Sequence, residues 1–426
     1  MTSSRRLAPL NHGEAVGEKS IARDAWVEID LNRLEFNWQA IRAHLEKQSQ
    51  QAGIKQPQIM GVVKADAYGH GALPVAEVLA ACGVSWLGVA SADEGSVLRR
   101  GNCKLPILIL GPTPFWAVKK AIAQSLDLTI SSLQQLQEIA DVLKEQKTPI
   151  AVHLKVDTGM HRLGMNFKDA QKAIALLKQN KAFKLVSIYS HLAKSADVET
   201  TEAQRKEFDR FIEIFKKEQF PSLFFHLAAS EAAHNFPSTY YDMVRIGIEI
   251  YGLEAKTVSP ELLPVMTVRG RINQINHINE GESVGYGLTW TSARPTRLAN
   301  IPIGYADGVD RGLSNKFKGL LHHQLVNQVG TISMDQMLFD VTDVPTAKEG
   351  DVITLIGSDD YGVVAETKKS LQAKTLYLAD WAKSLDTITY ELACRLKARL
   401  PRIYTRQQID NNFKNSPLFT NSEKDK

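Results

Sequence analysis

An apolar run, Gly61-Val62-Val63, ends on Lys64 and breaks at once into Ala65-Asp66-Ala67-Tyr68-Gly69-His70-Gly71. A lysine at the end of a buried strand is costly unless its ammonium is paired, snorkels to water along its stem, or serves as an amine nucleophile with a lowered pKa. Other reactive groups stand at comparable places along the chain. His191 follows the apolar run 185–190, and His226-Leu227-Ala228-Ala229-Ser230 closes the run 223–228 and leads into a helical stretch. Arg245-Ile246-Gly247-Ile248 lies within the run 243–250. Ser230 at a helix start serves either as a plain N-cap or as an anion ligand, because free N–H groups and the helix dipole favour negative charge there. Gly247 lets backbone approach the same anion closely. His191 reads either as a hydrogen-bonded core histidine or as part of a site.

The elements that must position these groups repeat one unit. Short β-branched runs fall at 59–64, 85–90, 106–110, 126–131, 149–156, 185–190, 223–228 and 243–250, and helical patterns such as Leu73–Cys82 and Leu133–Lys144 lie between most of them. The clearest helix covers about 201–219, where Phe208, Phe211, Ile212 and Phe215 follow helical spacing and Thr200 or Thr201 is the expected cap. Strand alternating with helix implies parallel strands and crossover helices, and eight such strands imply a (β/α)8 TIM barrel, with an open doubly wound sheet as the alternative. In a barrel, Lys64, His191, Ser230 and Arg245 converge on the C-terminal face, where such enzymes work. An amine beside a phosphate pocket there points to pyridoxal 5'-phosphate held through the lysine.

Past Pro260 and Pro264 helical periodicity fades, and strand-like runs at 265–278, 297–303, 325–341 and 351–356 announce a mostly β domain. A helix near 376–385 and a further strand at Thr387–Leu392 complete the expectation, with 358–375 a polar surface insertion. The chain thus divides into a loose extension over 1–23, a barrel over 24–264 opened by the Trp26–Asp30 strand and the Leu31–Leu45 helix, a β domain over 265–408, and a tail over 409–426.

Composition excludes several classes. Of 426 residues 44% are apolar and 23% charged, an ordinary globular balance, and a net charge of +4 without a basic stripe gives no reason to expect nucleic acid. Three cysteines, Cys82, Cys103 and Cys394, show neither disulfide nor zinc spacing. No secretory pattern follows Arg5-Arg6, and no run reaches the ~18 apolar residues of a membrane span, so a cytoplasmic protein without a membrane partner or a metal is expected.

Six motifs, in order across both domains, carry a resemblance. They are Val63–Gly71, Leu154-Lys155-Val156-Asp157-Thr158-Gly159-Met160-His161-Arg162-Leu163-Gly164, Val244–Ile248, Val284-Gly285-Tyr286-Gly287, Ile303-Gly304-Tyr305-Ala306-Asp307-Gly308 and Ser333-Met334-Asp335-Gln336. Over about 24–405 the chain resembles the alanine racemases, cytoplasmic homodimeric enzymes that use pyridoxal 5'-phosphate to supply D-alanine for peptidoglycan. The resemblance implies Lys64 as cofactor-holding lysine and base on one face of Cα, and Tyr286, from the other subunit, as acid/base on the opposite face. A phenol does this near neutral pH only beside cationic or hydrogen-bonding neighbours. It further implies Tyr68, Ser230, Gly247, Ile248 and Tyr390 as phosphate contacts, and Arg245, oriented by His191, as partner of the cofactor's ring nitrogen. Arg162 and the Met334 backbone N–H would hold the substrate carboxylate, Lys155 aligns with a lysine carbamylated in several members, and Tyr305, Arg311 and Asp335 line an access channel.

Thr331 departs from the pattern, since many members carry arginine there, which bears on the outer gate and not on the chemistry. Arginine at 245 argues against a decarboxylase of basic amino acids, a class that resembles this architecture but places an acid against the ring nitrogen. A serine or broad-specificity racemase remains an alternative. A barrel-only protein that merely handles the cofactor would lack the β domain and Tyr286.

Overall fold

The computed structural model describes residues 23–144, 148–253, 262–358 and 375–406. The expected extension over 1–23 apart from Arg23, most of the expected insertion over 358–375 and the whole expected tail over 409–426 lie outside the described residues. By internal contacts the chain forms two units, one from Leu31 to Val265 with Arg406, the other combining Arg23–Asp30 with Met266–Thr405.

After β1 (Ala25–Asp30), eight parallel strands build the first unit: β2 (Gln58–Val62), β3 (Trp86–Val89), β4 (Ile107–Pro112), β5 (Asp127–Ile130), β6 (Ile150–Lys155), β7 (Phe183–Tyr189), β8 (Phe224–His226) and β9 (Met243–Ile246). They pair in sequence order from β2 to β8, with β9 on the free side of β2. The ring is drawn together between β8 and β9 by a parallel bridge of Ala229 with Arg245 and by N–H donation from Asp242 to Phe225 O and from Arg245 to Ala228 O. The sheet is therefore a nearly closed barrel, not the open doubly wound alternative. Met60, Leu108 and Met243 form an apolar layer with Trp86, Leu110 and Phe224, the packed interior expected of such a barrel.

The helices start where side chains take up orphan N–H groups. Ser91 and Ser132 accept from Glu94 and Gln135 at the heads of the Ala92–Arg100 and Leu133–Val142 helices. The long helix spans Val198–Lys217 and buries Phe208, Phe211, Ile212 and Phe215 as expected. Its cap is Asp197, whose carboxylate accepts the Thr200 N–H at 2.8 Å, not Thr200 or Thr201.

Two further readings are corrected. The strand expected to open the barrel, β1, pairs antiparallel with β10 (Met266–Arg271) and parallel with β20 (Arg402–Thr405), so it belongs to the β unit. Strand pairing is non-local, and sequence adjacency to the Leu31–Ala52 helix misleads. The expected strand at Thr387–Leu392 is instead the helix Thr389–Arg395. The rest of the second unit is antiparallel. β11 (Gln274–Ile278), β14 (Thr296–Ile301), β15 (Lys318–Leu321), β16 (Gln324–Val329), β17 (Met337–Asp340) and β18 (Val352–Ser358) form one sheet with β10, β1 and β20, and β19 (Thr375–Leu376) pairs with β18, while β12 (Ser283–Val284) and β13 (Trp290–Thr291) make a separate ribbon.

Candidate active site

The barrel brings together Lys64, Tyr68, Lys155, Arg162, His191, Ser230, Arg245, Gly247 and Ile248 at or just beyond the C-terminal ends of its strands. Lys64 stands two residues past β2 and opens an unusual turn. Ala65, Asp66 and Ala67 hold φ of 52–53° and ψ of 48–50°, and Tyr68 has φ of 54°. Four successive non-glycine residues thus wind left-handed. Gly69 donates to Ala65 O at 3.0 Å, and Glu94 spans two loops by accepting from the Ala65 N–H at 2.9 Å and the Ala90 N–H at 2.7 Å. Asp66 accepts from Ala72, tying the turn to the helix that follows.

Tyr68 is delivered by this turn to Gly247, where a Cβ would come within 2.7 Å of the phenolic oxygen. Only glycine leaves that room. Ser230 does not cap its helix. Its hydroxyl accepts the Gly247 N–H at 3.1 Å, and the Ile248 N–H, first in a 3-10 turn, has no acceptor among the described residues. Hydroxyls and an open N–H around one glycine make an anion cradle.

Arg245 is almost fully buried and fixed from several directions. Nη1 donates to His226 Nδ1 at 3.1 Å and to His226 O at 3.2 Å, and Nη2 to Ser190 O and Leu227 O, each at 2.8 Å, and to His191 Nδ1 at 3.2 Å. Arginine carries five N–H groups. The four on Nη1 and Nη2 are consumed, and Nε–H is the one with no acceptor among the described residues. Burial lowers Arg245 to about 10, which leaves it cationic near neutral pH. His191 is pushed down to about 3 by burial and by Arg245, Lys155, Arg162 and Lys64, so it is neutral and accepts. His226, a second imidazole on the guanidinium that the sequence reading did not assign to the site, falls well below its ordinary value through burial and Arg245.

Lys155, buried with its Nζ 5.2 Å from the Tyr189 ring centroid, is lowered to about 8 by burial and then by Arg245, Arg162 and Lys64. Arg162 projects from a loop that Asp157 organises by accepting the N–H groups of Gly159, Met160 and His161. The barrel mouth is rich in cations and suited to an anion.

The remaining expected site residues belong to the β unit. Tyr286 is 71% exposed on a short 3-10 turn between Gly285 and Gly287, both at φ 74°. Met334 lies in a loop whose carbonyl accepts from Ala306, and its N–H has no acceptor among the described residues. Gly304 permits this approach, since a Cβ there would meet Ser333 O at 2.2 Å. Tyr390 is partly exposed on the Thr389–Arg395 helix. Tyr305 and Arg311 line a cavity of about 460 Å³ with Asp310, Arg395 and Lys397, Asp335 accepts from Arg399, and the Thr331 hydroxyl bonds that of Thr289.

A lysine at the mouth of a parallel barrel, an anion cradle and a locked arginine define a lysine-centred barrel enzyme with an appended β unit. The family models for the alanine racemase N-terminal domain and C-terminal domain match residues 29–255 and 265–404. An alanine racemase of Nostoc sp. is 40% identical over 89% of this chain and 95% of its own, and one of Synechocystis sp. is 38% identical over 90% and 99%. The structure of alanine racemase from Clostridium difficile superposes with a TM-score of 0.80 at 31% identity, covering 91% of this chain and 97% of that one. The chain belongs to the alanine racemase family and is an enzyme of that kind.

Proposed function

We propose that the protein interconverts L- and D-alanine with pyridoxal 5'-phosphate, by proton transfer on both faces of Cα, as a cytoplasmic homodimer that supplies D-alanine for peptidoglycan. The residues fit that cofactor. Tyr68, Ser230, Gly247 and Ile248 offer a cradle for its phosphate, and Lys64 is the amine able to hold its aldehyde. When bound, the cofactor acidifies the Cα–H of an amino acid joined to it through nitrogen.

The single observation that carries the reading is the state of Arg245. With four N–H groups consumed, Nε–H is left for a ring nitrogen, and arginine donates without ever giving up its charge. Arg245 would thereby keep such a nitrogen unprotonated and limit how much charge the ring could withdraw from Cα. That suits brief proton exchange and disfavours loss of CO2. Lys64 takes or returns the proton on one face, and Tyr286 from the partner subunit does so on the other. A single base would return each proton to the side it left. Arg162 and the Met334 N–H orient the substrate carboxylate.

The test is Cα proton–deuterium exchange with a panel of L- and D-amino acids. Exchange confined to alanine supports the proposal. Equal exchange with serine broadens the substrate class, and CO2 release without exchange refutes the racemase chemistry.

A further inference from the structure

Arg245 is the end of a longer series of hydrogen bonds through the barrel interior. His226 Nε2 lies 2.9 Å from Ser187 Oγ, Ser187 Oγ lies 2.7 Å from His153 Nδ1, and His153 Nε2 lies 3.2 Å from Asp127 Oδ2. The members come one from each of five neighbouring strands, β5 to β9, and step from the start of β5 to the cofactor end of β9. His153, Ser187 and His226 are wholly buried, whereas the Asp127 side chain keeps 16% of its surface in solvent.

We propose that Asp127, His153, Ser187 and His226 are positioning residues that form a one-way hydrogen-bond chain and hold Arg245 as a donor toward the cofactor's ring nitrogen; the functional part rests on the reading of Arg245 given above. The direction follows from the two ends. Arginine only donates, so His226 Nδ1 carries the lone pair and the ring proton sits on Nε2. That proton is donated to Ser187 Oγ, which sends its own hydrogen to His153 Nδ1. His153 then bears its proton on Nε2 and gives it to the Asp127 carboxylate, which only accepts. Placing a proton on His153 Nδ1 would leave the Ser187 oxygen facing two donors and its own hydrogen without an acceptor. Every buried group is satisfied in one arrangement, and each bond polarises the next, so the carboxylate strengthens the acceptor facing Arg245. Tyr189, stacked on His226 with centroids 4.7 Å apart, keeps that ring from turning.

Two measurements test this. Neutron diffraction on the cofactor-loaded protein should place hydrogens on His226 Nε2 and His153 Nε2 and aim the Ser187 hydroxyl at His153. A hydrogen on either Nδ1 overturns the chain whatever the reaction proves to be. Ser187→Ala, which cuts the chain at its middle, should lower kcat about tenfold with KM little changed, the scale of losing an outer hydrogen bond to a ligand-holding histidine. A kcat within twofold of the parent, with the proton positions as described, overturns the positioning role while leaving the reaction assigned to Arg245 intact.

Discussion

The left-handed turn after Lys64 predicts a stability change of unusual sign. In an ordinary helix, alanine to glycine is destabilising by about 1 kcal/mol at an exposed interior position, through chain entropy. At φ near +52° each alanine Cβ instead crowds the following carbonyl, at roughly 1–2 kcal/mol per residue. Ala65 is exposed, so removing its methyl sacrifices no burial. Relief of about 1–2 kcal/mol, less an entropic cost of about 0.4–1 kcal/mol, leaves Ala65→Gly stabilising by roughly 0–1.5 kcal/mol. Ala67 is fully buried, and its lost methyl contact, about 0.8 kcal/mol, brings Ala67→Gly nearer to neutral. Ala43, exposed within the Leu31–Ala52 helix of the same barrel unit, supplies the control, for which Ala43→Gly should cost about 1 kcal/mol. Urea unfolding followed by tryptophan fluorescence compares all three in one background, since Trp38 and Trp86 report on this unit. The reasoning is refuted if Ala65→Gly loses as much stability as Ala43→Gly.

Other predictions follow from the barrel mouth and the proposed dimer. Gly247→Ala should weaken retention of pyridoxal 5'-phosphate about tenfold or more, because the new methyl displaces Tyr68, with overpacking at ~1–3 kcal/mol, while affinity for pyridoxal without phosphate changes little; binding titrations with both ligands check this. Lys155, lowered to about 8 by burial, carries roughly 300 times more free amine near neutral pH than an ordinary lysine. Carbon-13 bicarbonate should therefore give a carbamate signal that Lys155→Arg abolishes. The same shift has a stability sign: the folded pKa lies below the unfolded one, so the penalty is full below about pH 8 and fades as pH rises toward 10.5. Lys155→Met should flatten the stability–pH slope in that window, and an unchanged slope would count against the shift. Mixing inactive Lys64→Ala and Tyr286→Phe chains should restore activity at about a quarter of sites on random two-fold pairing, whereas silence from proven heterodimers argues against shared sites.

Much of the barrel was legible because parallel strands buried on both faces read as short apolar runs between helices. All eight runs correspond to strands, most within two residues of their ends. The β unit was less legible. Its pairing is non-local, so nothing near Trp26 reveals that β1 joins Met266–Arg271 and Arg402–Thr405. Thr389–Arg395 was misread because Tyr390 and Leu392 alternate like a strand, although the segment is also short enough for two helical turns. The turn at Ala65–Tyr68 was invisible for a physical reason: alanine is the strongest right-handed helix former and gives no sign of a positive φ. Lys64, Arg245 and Ser230 stood out as polar groups at strand ends. His153 and Ser187 did not, although a polar residue at a fully buried strand position carries a signal, since it must find a partner.

The two groups closest to the proposed chemistry are held by opposite means. Arg245 has five acceptors converging on two nitrogens, so neither rotation nor replacement by a three-donor lysine satisfies its surroundings, and its direction is set by acceptors at the ends of β7 and β8. Lys64 sits instead at the head of a turn whose conformation is unfavourable residue by residue and is held by Glu94, Asp66 and the hydrogen bond from Gly69 to Ala65. A group that only tunes charge gains from being immobile. In the proposed reaction Lys64 would release the cofactor to an incoming amine and then move a proton, which calls for a long side chain on a fixed base. The left-handed turn supplies that base, because the winding that follows Lys64 also carries Tyr68 to Gly247. Amine and proposed phosphate seat are thereby fixed relative to each other by one short segment, and a change to its winding should disturb both together.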